Sequence, residues 1–72
     1  MKPREIRRVK GLIDAARVRQ GLTQKQMCYL MAVPESSFVY RRDSGKLTLD
    51  DIRRVHRVAP FNFEELDELI KG

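Results

Sequence analysis

The chain has 72 residues, fifteen Lys and Arg against ten Asp and Glu, and a formal net charge of +5. That length allows one domain over residues 1–72, with a core near the lower limit for independent folding, and excludes a large multidomain enzyme. A lone cysteine, Cys28, excludes a disulfide framework, and with a single histidine, His56, it cannot build a structural zinc site.

Pro3 suits a first helical turn. Behind it Ile6, Val9, Ile13 and Ala16 recur at spacings of three and four, with Leu12 widening the stripe. Arg4, Arg7, Arg8, Lys10 and Arg19 take the other face. Gly11 weakens this helix by about 1 kcal/mol relative to Ala, and Gly21 ends it. Thr23-x-x-Gln26 is a capping box that opens a second helix, with Met27, Cys28, Leu30 and Met31 on its apolar side. Ala32-Val33-Pro34 interrupts that helix, because Pro34 disfavours helical backbone at Val33. A third helix runs from Glu35 or Ser36 to Arg42 and closes at Ser44-Gly45.

Thr48-x-x-Asp51 caps a fourth helix, which turns Ile52, Val55, Val58 and Ala59 inward and Arg53, Arg54 and Arg57 outward until Pro60 stops it. Asn62-x-x-Glu65 caps a fifth helix over about 62–71, with Phe61 and Leu66 as a hydrophobic staple. This last helix buries Leu66, Leu69 and Ile70. No period-2 run and no Asn-Gly hairpin signal supports a strand. The expected fold is all-α, with five short helices.

The charge is unevenly placed. Residues 1–57 hold fourteen Lys and Arg against six Asp and Glu, or +8, whereas residues 58–72 carry −3. A basic body with an acidic tail fits a polyanion on one side and water or another subunit on the other. No apolar run approaches the roughly 18 residues of a membrane span. The basic start MKPREIRRVK lacks the apolar stretch of a signal peptide. A soluble, cytoplasmic protein is expected.

The segment from Gly21 to Lys46 reads as a capped two-turn helix, a tight turn, a second two-turn helix and a glycine stop. That is a helix-turn-helix over about 23–43, whose second helix enters a DNA major groove. Its letters, Gly21-Leu22-Thr23-Gln24, Ala32-Val33-Pro34 and Asp43-Ser44-Gly45-Lys46, resemble the Cro/C1-type (XRE-like, lambda-repressor-like) family. The resemblance spans roughly residues 6–70. It implies a five-helix DNA-binding domain, dimeric on a palindromic operator. It also implies that Gln24 donates to a DNA phosphate and that Arg17 pairs with an acid at the end of the third helix, here Asp43.

One residue is in excess between Val33 and Gly45, so two registers are open. In one, Phe38 is the buried anchor and Glu35, Ser36 and Tyr40 face the groove. In the other, Val39 is the anchor, Ser36, Ser37, Tyr40 and Arg41 face outward, and Asp43 meets Arg17. The second is preferred because the first sets Arg42 opposite Arg17. It assigns Arg41 to a guanine fork, and Ser36, Ser37 and Tyr40 to other base contacts. Thr23, Gln24, Lys25, Arg42 and Lys46 are then phosphate contacts. Plainer roles compete for several of these: Tyr40 as a core-edge residue, Lys25 as a solvated side chain, Ser36 and Ser37 as helix caps.

Cys28 is expected in the core, His56 at the surface or an interface, and Glu64-Glu65 and Asp67-Glu68 on a solvated face. No catalytic set, cofactor motif, metal site or small-molecule pocket is legible, so an enzyme is not expected. Phe61, Phe63, Leu66 and Ile70 exceed what one small subunit can cover and are expected at a homodimer interface. The combined expectation is a transcriptional regulator, a repressor or autoregulator of a small phage or mobile-element operon, on double-stranded DNA. An antitoxin-type autoregulator and a protein–protein interaction module are the alternatives.

Overall fold

In the computed structural model, which describes residues 2–71, five α-helices follow one another and no strand occurs among the described residues. They are α1 (Pro3–Arg19), α2 (Gln24–Met31), α3 (Glu35–Asp43), α4 (Leu49–Val58) and α5 (Phe63–Lys71). None is long and apolar enough to cross a membrane.

The helix ends follow from local chemistry. Pro3 occupies the first turn of α1, where its missing N–H costs nothing. Gly21, at φ +70°, reverses the chain after α1, a conformation that only glycine takes cheaply. At α2 the Thr23 hydroxyl accepts from the Gln26 backbone amide (3.1 Å) and the Gln26 side-chain oxygen Oε1 accepts from the Thr23 backbone amide (2.8 Å). The Thr48–Asp51 and Asn62–Glu65 pairs close equivalent boxes at α4 and α5. Each box satisfies two amides that a helix start otherwise leaves without partners. Between α2 and α3, Ala32 adopts a left-handed conformation (φ 60°), and Pro34 caps α3. A non-glycine residue there carries about 1–2 kcal/mol of strain.

One core joins the helices. Ile13 and Ala16 of α1, Met27, Cys28 and Met31 of α2, Phe38 of α3 and Val55 of α4 are buried, with Ala59 and Phe61 following. Helix α3 packs against α1 and α2, and α2 packs against α4. Leu66 and Leu69 bring α5 onto this core from one side, and two ion pairs with α1, Arg8–Glu68 and Arg19–Glu65, tie it down. Two apolar expectations fail. Leu30 is exposed because it lies on the outer side of α2, and Ile70 is 83% exposed because no element covers that side of α5.

Candidate functional site

The geometry of α3 decides which of its side chains can meet a partner. Phe38 is fully buried, and Arg42, one turn further on, is 6% exposed. These two define the inner side of α3, so the register with Phe38 as anchor is the one that forms. The preferred register, with Val39 as anchor, is overturned: Val39 is only half-buried. On the outer side Ser36, Tyr40 and Asp43 are exposed, with Glu35 and Ser37 half-buried beside them.

This register reassigns three charged residues. Arg41, expected to read a base, is engaged within the protein. Its Nε and Nη2 donate to the two carboxylate oxygens of Asp51, both at 2.9 Å, which fastens α3 to the first turn of α4. Arg42 is not a phosphate contact either. It is buried, donating from Nη1 to Gln24 Oε1 (2.6 Å) and from Nε to Asp43 (3.0 Å). The expected Arg17–Asp43 pair does not form. Asp43 is taken by Arg42, while Arg17 donates to the Leu22 carbonyl oxygen (2.7 Å) and lies 3.7 Å from Asp14. The repulsion that argued against this register is absent, because both guanidiniums have their own acceptors.

Gln24 is held at both ends. Arg42 donates to its carbonyl oxygen, and its amide nitrogen donates to Glu35 Oε2 at 3.1 Å. An amide nitrogen carries two hydrogens, so one remains for a further acceptor. Thr23 is engaged in its capping box, Lys25 is exposed on the first turn of α2, and Lys46 lies over the Tyr40 ring (5.3 Å) with its ammonium donating to the phenol oxygen (3.2 Å). The outer face of α3 is thereby bordered by Gln24 at one end and Lys46 at the other.

The site's electrostatics have identifiable causes. Burial pushes the Asp51 carboxyl up, but the Arg41 fork and the Thr48 amide outweigh it and hold it below the ordinary carboxylate range. The Arg42 hydrogen bond holds Asp43 low against a burial penalty, with the Arg42 and Lys10 charges assisting. Burial pushes the Cys28 thiol up, and the Glu35 charge adds to this against the Arg42 and Arg41 charges. Among the described residues, seven ion pairs consume seven of the fifteen cations and seven of the ten acids. The cations in none of them, among the described residues, are Lys2, Arg4, Arg7, Lys10, Lys25, Lys46, Arg53 and Arg57.

At the other side of the molecule, the expected interface residues divide. Phe61 is 5% exposed and is core, not interface: its ring stacks on His56 at 5.8 Å, and its amide donates to His56 Nδ1 (3.1 Å). Phe63 and Ile70 are exposed, and Leu66 is half-buried. Glu65 departs from the expected solvated face, being buried against Arg19, whose Nη2 donates to it at 2.7 Å. A groove of about 410 Å³ runs between α4 and α5, lined by Leu49, Ile52, Arg53, His56, Leu66, Leu69 and Ile70 together with Val9 and Leu47. No group of three or more His, Cys, Asp and Glu side chains that could hold a metal occurs among the described residues.

Asp51 and Glu65 were legible only as capping residues, since their arginines lie ten and forty-six residues away. The Gln24–Glu35 contact had no sequence signal beyond the proximity of the two helix starts. No protein-family model, curated protein or solved structure matches this chain.

Proposed function

We propose that the chain is a sequence-specific DNA-binding transcriptional regulator of the lambda-repressor-like helix-turn-helix type, acting as a repressor or autoregulator. In this reading α2 crosses the DNA backbone and α3 lies in the major groove. One observation carries it: α3 is fastened along its inner side by Phe38, Arg41 and Arg42, while its outer side presents an uncovered row of polar side chains. A helix that must protrude into a groove needs both properties. In this reading Gln24, through its remaining hydrogen, and the exposed Lys25 and Lys46 meet phosphates at the two ends of that row.

The protein binds a palindromic operator as a homodimer whose two α3 helices sit about one DNA turn apart, roughly 34–36 Å. The exposed Phe63 and Ile70 and the groove beside α5 supply the dimer surface. Charge complementarity favours a second copy there: α5 exposes Glu64 and the α4 wall carries Arg53, neither of them in an ion pair among the described residues.

Titration of labelled duplex DNA at several salt concentrations tests the reading. The logarithm of the binding constant should fall linearly with the logarithm of salt concentration. Lys25→Ala and Lys46→Ala should each weaken all sequences alike and make that slope shallower by about one. Binding that is absent, or indifferent to salt, overturns the proposal in favour of a protein–protein interaction module.

A further inference from the structure

The outer side of α3 carries hydroxyls, from Ser36 and Tyr40, but no uncommitted guanidinium. Both of its arginines are committed inside the protein, Arg41 to Asp51 and Arg42 to Gln24 and Asp43, so the arginine fork onto guanine is not available from this helix. Its first residue is an acceptor. Glu35 follows the Pro34 cap directly, in the first turn, where the helix dipole favours a carboxylate. In a helix-turn-helix, it is the N-terminal residues of the second helix that reach base edges.

Glu35 is also oriented. The buried Arg42 guanidinium donates to Gln24 Oε1, which sets the Gln24 amide with its nitrogen toward Glu35, and that nitrogen donates to Glu35 Oε2. The relay runs from the protein interior to the helix start and involves only one oxygen of the carboxylate. The other oxygen, Oε1, accepts no hydrogen bond from any described residue.

An ionised carboxylate only accepts. In the major groove guanine offers N7 and O6, both acceptors, and thymine offers O4 and a methyl group. Adenine pairs its N6 donor with an N7 acceptor that a carboxylate cannot satisfy. Cytosine offers the N4 amino donor alone. Resting on the DNA-binding reading above, we infer that Glu35 is a specificity-determining residue that selects cytosine at one position of each operator half-site, with Gln24 and Arg42 as its positioning residues.

Enrichment of binding sites from a random duplex pool by the full chain and by its Glu35→Gln variant tests this. The unmodified chain should enrich C·G at one position per half-site, by about tenfold or more over the other pairs. Glutamine retains an acceptor for the Gln24 amide but adds a donor, which matches the N6/N7 pair of adenine. Glu35→Gln should therefore move that single position to A·T and leave the rest of the motif unchanged. An identical motif from both proteins overturns the inference while leaving the DNA-binding reading intact. So does a variant that loses affinity for every sequence alike. A chain that enriches no motif and binds no duplex at low salt overturns the DNA-binding reading, and this inference with it.

Discussion

Arg41 illustrates how one side chain's partner settles a question that its neighbours leave open. With two of its nitrogens donating to Asp51, it closes a fork across two helices, and Asp51 is nearly covered. Removing the guanidinium leaves a buried carboxylate without its main counter-charge, a larger loss than that of an exposed pair. Arg41→Ala should destabilise the fold by about 2 kcal/mol, below the full range for buried pairs because Arg41 keeps some contact with water. Chemical denaturation measures this, and an unchanged midpoint would make the fork incidental. The register of α3 was not legible in the sequence for a related reason. Phe38 and Val39 are adjacent and both apolar, so the choice fell to the partner of Arg17. The expected partner lies on another helix, whereas Arg17 uses Asp14 within its own helix and the Leu22 carbonyl just beyond it.

The five helices were legible because their ends are written in signals three residues apart or less: Pro3, Gly21, the Thr23–Gln26, Thr48–Asp51 and Asn62–Glu65 boxes, and Pro60. How the helices are fastened to one another was not, because Arg41–Asp51 and Arg19–Glu65 link residues with no local relation. These acids serve twice, each closing a capping box and each receiving an arginine. Both carboxyls are lowered: the Arg19 hydrogen bond lowers Glu65 against a burial penalty, and the Arg41 fork with the Thr48 amide overcomes burial at Asp51. A carboxylate lowered on folding binds fewer protons than it does in the unfolded chain, so acid favours unfolding. The stability from this pair should be fully present above about pH 4.5, where the unfolded carboxyls are ionised. It should decline as pH falls through the lowered folded values. Thermal unfolding across an acid series checks the sign, and Glu65→Gln should flatten part of the decline.

At the scale of the whole molecule, the net charge of +5 is carried by cations left over after internal pairing, and the acidic tail is partly spent on holding α5 to α1. Beside its charged residues, α5 leaves two large apolar side chains uncovered, Phe63 and Ile70. Phe63 is 91% exposed, so Phe63→Ala should change the stability of the monomer by less than about 0.5 kcal/mol. In the proposed dimer the same change should weaken association about tenfold or more. Sedimentation equilibrium beside thermal melts separates the two effects, and a chain that stays monomeric at high micromolar concentration removes the dimer. The two-sided character of α3 has a consequence for descent. Its inner residues, Phe38, Arg41 and Arg42, are tied into the rest of the bundle, whereas Ser36 and Tyr40 support little else. Substitutions can therefore accumulate along the outer row without passing through an unstable intermediate. In the proposed DNA-binding reading, a gene duplicate could change the sequence it recognises while inheriting the same folded frame.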